Sequence, residues 1–142
     1  PELTGEMEWL HSRKLIKEEL IGHKPILIYF WSISCESCQN GIERIKSLFK
    51  QYQDKLQIVT VHIPKSEEDR NIDRIQAWMD HNLFHFPVIV DQKHMVVDRF
   101  QNRYVPAFYL FDQKGELRYF QSGNSNPFIL RKRMERLLAE LE

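Results

Sequence analysis

Hydrophobic and polar positions along the chain separate into strand-like runs and helix-like stripes. Pro25 opens ILIYFW (Ile26 to Trp31), a continuous run of strand length. A run apolar on both faces predicts a central strand covered on both sides. Cys38, Ile42, Ile45, Phe49 and Tyr52 then recur at three- and four-residue intervals, which predicts a helix with that set facing the core. Gln57 to Ile63 (QIVTVHI) is the next strand, stopped by Pro64. Ser66 to Asp69 is a polar lead into a second helix, where Ile72, Ile75, Trp78 and Met79 share a face. Pro87 starts the short strand VIVD, and Met95, Val96 and Phe100 suit a short helix. Pro106 begins AFYLFD; Gln113-Lys114-Gly115 is a hairpin turn with Gly115 at the positive-φ position; Leu117 to Gln121 returns as the partner strand. Asn126-Pro127 starts a last helix, Asn as cap and Pro at its first position, with Leu130, Met134, Leu137, Leu138 and Leu141 on one face. Upstream, Lys14 to Ile21 (KLIKEELI), ended by Gly22, reads as a helical turn or short helix.

Alternating strands and helices followed by a hairpin and a helix describe an α/β sandwich, its central strands parallel and its terminal hairpin antiparallel. The length of 142 residues suits a single domain over 1–142. Twenty basic and twenty acidic side chains leave no net charge, which argues against a nucleic-acid-binding domain. No apolar stretch approaches the ~18 residues needed to span a membrane, and PELTGEME at the start is polar and acidic, without an apolar signal core.

Composition changes the picture most through cysteine. There are two, Cys35 and Cys38, too few for a disulfide-stapled scaffold. Cys35-Glu36-Ser37-Cys38 sits where a buried strand gives way to an amphipathic helix. Unpaired N–H groups and the partial positive charge of a helix start favour a thiolate there, and the thiolate is the form that attacks disulfides. Glu36 places an anion beside it, which opposes thiolate formation. The pair also admits two plainer readings, as core cysteines or as half of a zinc site. His81 and His85 have the H-x3-H spacing of zinc ligands, but 42 residues separate Cys38 from His81, against ~12–15 in a finger. Surface histidines are the simpler account, and no metal or other cofactor is expected. His62, on a strand, and His94 are expected to make local hydrogen bonds. Arg131-Lys132-Arg133 and Arg136 read as the solvated side of the last helix.

Three segments together carry a resemblance: FWSISCESC after an apolar strand, FPVIVD, and YVPAFYLFD about seventy residues beyond the cysteines. They resemble the thioredoxin-like TlpA/ResA group, and the wording of PELTGE, LIGHKP and ELRYFQSG is similar to its cytosolic bacillar branch. The resemblance implies a thioredoxin fold, a central mixed β-sheet sandwiched by helices, with an extra helix inserted between QIVTVHI and FPVIVD. It implies a cytoplasmic thiol-disulfide oxidoreductase, with disulfide-containing protein substrates and a thiol reductant such as a thioredoxin system as partners. No nucleic acid or membrane partner is implied, and a monomer is expected. By the same resemblance Val105-Pro106 forms a cis-proline loop facing the pair. From its helix-start position Cys35 is expected to attack, and Cys38, buried one turn into the helix, to resolve. Trp31, Ile33 and Tyr104 are read as framing an apolar docking patch beside the loop.

The chain departs from thioredoxins in having Glu36-Ser37 between the cysteines, Ser34 before them, and Tyr29 where a buried carboxylate stands. It departs from peroxiredoxins in having Ile28 at their proline position, although Ser32 fits their hydroxyl position. A thioredoxin-fold binding or chaperone module with incidental cysteines is the alternative from another functional class.

Overall fold

The computed structural model describes residues 8–10, 22, 24–36, 38–52, 55–102, 104–122 and 127–140. The helix expected over Lys14 to Ile21, the Asn126 cap, Ser37 and Leu141 lie outside the described residues. The strands are β1 (Glu8–Leu10), β2 (Ile26–Trp31), β3 (Gln57–His62), β4 (Val88–Val90), β5 (Ala107–Phe111) and β6 (Leu117–Ser122). The helices are α1 (Cys38–Tyr52), α2 (Ile72–His81), α3 (Met95–Phe100) and α4 (Pro127–Ala139), with a 3₁₀ turn at Glu68–Arg70.

The strands form one sheet in the order β1-β4-β3-β2-β5-β6. β3 lies parallel to both β2 and β4, as strands joined through α1 and α2 must. β5 runs antiparallel to β2, and the β5–β6 hairpin is antiparallel. Gly115 supplies the turn's positive φ of 86°, which a side chain would resist. β1 was not expected from its polar surroundings; it pairs antiparallel with β4, Trp9 opposite Ile89.

All six residues of β2 are buried, because the period of two sends alternate side chains into two cores. Leu27, Tyr29 and Trp31 join residues of α1, α2 and α4, including Ile42, Ile45, Ile75, Met79, Leu130 and Met134. Ile26, Ile28 and Phe30 join Val59, Val61, Ile89 and Val96 of α3 on the other face. One helical stripe differs from expectation. On α1, Leu48 is buried and Phe49 is 39% exposed, its ring edge-on to Phe86 at 5.2 Å. The last helix is not solvated throughout its basic run, since Arg133 lies over the Tyr119 ring at 5.2 Å and donates to the Phe120 carbonyl.

Caps explain where the central helices begin. Asn71 accepts from the N–H groups of Asp73 and Arg74 at the start of α2, satisfying donors that a helix leaves open. Buried Asp91 does the same for Val96 and Val97 of α3. The start of α2 thus falls beyond Asp69, which is released from the helix and used elsewhere.

Candidate active site

β2 ends at Trp31, and four residues later Cys35 stands in the turn that leads into α1. Its N–H donates to the Ser32 carbonyl (3.1 Å), and its own carbonyl accepts from the Cys38 N–H (3.2 Å). Helix α1 begins at Cys38, so only one cysteine lies inside it. The Cα atoms are 5.3 Å apart and the sulfurs are joined as a disulfide. Cys35 keeps 9% of its surface and Cys38 none. Glu36 is exposed.

The Val105–Pro106 peptide bond is cis. Pro106 is buried, and half-buried Val105 and Ile33 pack on the core cluster that contains both cysteines. The loop is braced from below: Asn102 donates to the Tyr104 carbonyl (2.7 Å) and accepts from the Tyr109 hydroxyl (2.8 Å). Beside it runs a cleft of about 530 Å³ whose walls include Ile63, Pro64, Lys65, His94, Tyr104 and Val105. Tyr104 is exposed, but Trp31 is not part of any docking patch. Its indole is fully buried among His62, Trp78 and Phe84, with ring centroids 4.9–5.3 Å away. The reason is the insertion: α2 and Phe84 roof the end of β2 and leave no surface for Trp31.

Tyr29 occupies the space under α1. Its hydroxyl donates to the Cys38 carbonyl at 2.9 Å, and its ring stacks on Phe108 at 4.7 Å. Burial pushes the phenol well above its ordinary range, with Arg44 opposing, so it serves as a donor and not as a proton acceptor near neutrality. Gly41 makes this possible. A Cβ there would fall 2.9 Å from Cζ of Tyr29 and closer still to its oxygen. Gly41→Ala is therefore expected to destabilise the protein by about 1–2 kcal/mol, overpacking outweighing the better helix propensity of alanine. The cost should shrink in a Tyr29→Phe background, where the nearest atom is gone. Urea unfolding of the four proteins checks this, and equal costs in both backgrounds would show that the hydroxyl is not the obstacle.

Four further polar residues gather behind Cys35: Ser32, Ser34, His62 and Asp69. Asp69 is 1% exposed. It accepts from the Ser34 hydroxyl (2.5 Å), the Lys65 N–H (2.9 Å) and the Ser32 hydroxyl (3.4 Å). Burial raises its pKa, but these hydrogen bonds and nearby His62 outweigh it and hold the carboxyl below its usual range. Buried His62 accepts the Ile33 N–H on Nε2 at 3.1 Å. Its pKa is pushed down to about 4 by burial, with Asp69 opposing, so the ring is neutral and free to accept. His62 makes the local hydrogen bond expected of it. Asp69 was missed, because in Ser66 to Asp69 nothing local distinguishes it from an ordinary helix lead. A histidine inside an apolar strand was the visible hint that polar chemistry lay nearby.

The zinc reading gathers no support from geometry. His81 ends α2 and His85 lies in the following loop, both exposed. Among the described residues no group of three or more His, Cys, Asp or Glu side chains could hold a metal ion. Among them, too, no helix is long and apolar enough to cross a membrane.

Comparison with known proteins agrees with this arrangement. Residues 6–120 match the AhpC/TSA family. The chain is 45% identical over 142 residues to the thiol-disulfide oxidoreductase YkuV of Bacillus subtilis, covering 100% of this chain and 95% of that protein. It is 23% identical over 135 residues to the thiol-disulfide oxidoreductase ResA of Halalkalibacterium halodurans, covering 94% and 73%. The solution structure of a thioredoxin-like protein in the oxidized form superposes with a TM-score of 0.88 at 45% identity, over 99% of this chain and 94% of that one. With a cysteine pair closed as a disulfide at the head of α1, the chain belongs to the AhpC/TSA family, among its thioredoxin-like thiol-disulfide oxidoreductases.

Proposed function

We propose that Cys35 is the attacking cysteine and Cys38 the resolving one. The observation that supports this is the asymmetry of exposure: only Cys35 keeps accessible surface. The Cys35 thiolate attacks one sulfur of a substrate disulfide, forms a mixed disulfide and expels the other sulfur as a thiolate. Cys38 then gives its proton to water or to a carboxylate such as Glu36 and attacks the Cys35 sulfur. The substrate leaves with both sulfurs reduced, and the Cys35–Cys38 disulfide remains. The start of α1 favours the Cys35 thiolate and the charge of Glu36 opposes it.

Pro106 has no N–H, and we assign its loop to docking, the Val105 backbone pairing with an extended substrate segment. The protein acts as a single-domain cytoplasmic monomer on disulfide-containing proteins, and a thiol donor such as a thioredoxin system restores the dithiol. This extension leans on the likeness to the relatives named above. Iodoacetamide applied to the reduced protein near pH 7 is expected to modify Cys35 first, because the reagent reads the accessible thiolate. Preferential labelling of Cys38 on peptide mapping would reverse the two roles.

A further inference from the structure

The segment Ser32–Ser34 belongs to neither β2 nor α1, so its polar groups need partners from elsewhere. Most of these partners lie in the loop after β3 and at the end of β3 itself. The Ile33 N–H goes to His62 Nε2 (3.1 Å). The Ser34 N–H goes to Ser32 Oγ (3.3 Å). Both serine hydroxyls then converge on the two oxygens of Asp69, and the Asp69 carboxylate also ties down the Lys65 N–H. The partners are 29 to 37 residues apart in the chain, and Ser32, His62 and Asp69 are buried.

We propose that Asp69, through Ser34 and Ser32, and His62, through the Ile33 backbone, clamp the three residues before Cys35 and so hold the attacking sulfur in place for exchange. This rests on Cys35 being the attacking cysteine. Asp69 and His62 are positioning residues, since neither needs to touch substrate. The clamp has an electrostatic side as well. Ser34 adjoins Cys35, and Asp69 Oδ1 lies 2.5 Å from the Ser34 hydroxyl oxygen. A buried negative charge there disfavours a second one on Cys35. The carboxylate therefore steadies the loop and at the same time restrains thiolate formation.

These two effects separate experimentally. Asp69→Asn keeps the shape but removes the charge and one acceptor, because the amide nitrogen that replaces one carboxylate oxygen only donates. Turnover on a protein disulfide, which needs the sulfur in position, is expected to fall about tenfold, or ~1.4 kcal/mol of barrier. The midpoint of the pH profile for iodoacetamide alkylation, which needs no docking, is expected to move to lower pH. A general loosening of the fold does not slow one reaction while easing ionisation for the other. Ser34→Ala should lose turnover in the same way, and Ser34→Thr, which restores the hydroxyl, should recover it. An unmoved alkylation midpoint in Asp69→Asn, or equal loss in Ser34→Ala and Ser34→Thr, overturns the clamp. If Asp69→Asn does not fold, the two Ser34 variants decide. Peptide mapping of the alkylated protein keeps the premises apart. A label on Cys35 with an unmoved midpoint rejects the clamp alone, whereas a label on Cys38 rejects the role assignment beneath it.

Discussion

Cys35→Ser is expected to abolish reduction of a protein disulfide, with at least a thousandfold loss, ~4 kcal/mol of barrier. The hydroxyl that replaces the thiol is not ionised near neutrality and cannot attack sulfur, and no other cysteine besides Cys38 exists in the chain. Cys38 has no accessible surface to take over the attack. Cys38→Ser should behave differently. The attack through Cys35 still proceeds, but the mixed disulfide has no internal thiol to resolve it and accumulates as a covalent complex. Non-reducing electrophoresis after mixing with a disulfide substrate reads the trapped species, and insulin reduction reads turnover. Cys35→Ser should trap nothing. Both variants should melt close to the parent's reduced form, since serine changes little in the packing. If neither loses insulin reduction, the cysteines are incidental, and the binding or chaperone alternative is the better account.

Lowering the pH from 7 to 4 should cost the fold on the order of 3 kcal/mol through His62 alone. The sign follows from the two states. Unfolded, the imidazole titrates at its ordinary 6.5; folded, it titrates at about 4. Between these values the unfolded chain binds a proton that the folded protein refuses, so stability rises with pH across the window. The contribution is complete above about 6.5 and is lost as the pH falls to about 4. Asp69, the charged group that acts on His62, titrates below the usual carboxylate range. Its own contribution is lost only as the pH falls further, beneath this window. Urea midpoints of the oxidised protein at pH 7, 5.5 and 4.5 give the slope. His62→Gln should flatten it, whatever its effect on stability at pH 7. A flat profile in the parent protein would mean that His62 is not held neutral, and the Ile33 N–H would then lack the acceptor assigned to it.

Much of the molecule was legible in the sequence because the signals are local. The apolar run of β2, the 3.6-residue stripes of α1, α2 and α4, and Gly115 at the hairpin turn follow from the geometry of one segment at a time. The cysteine pair was legible for the same reason, since its position between a strand and a helix lies within a dozen residues. A stripe, however, is about 100° wide, and which neighbour sits at its centre depends on how the helix rolls against the sheet. That roll buries Leu48 of α1 and leaves Phe49 at the rim. Trp31 looked available for docking, yet it is buried under Trp78 and Phe84, residues of the insertion that lie more than forty positions further along the chain. β1 has little pattern of its own in three residues and exists because β4 offers an edge.

The sequence by itself therefore determined β2 to β6 and α1 to α4, the layering of an α/β sandwich and the redox pair. Only the tertiary structure decided what surrounds that pair. Asp69 and His62 reach Ser32–Ser34 because β2 and β3 pair in parallel with Trp31 opposite His62, which brings the loops that follow the two strands side by side. Hydrogen bonds between groups more than 29 residues apart leave no spacing to read. They depend on strand register and on where α2 begins, and both are settled when the sheet and its helices pack together.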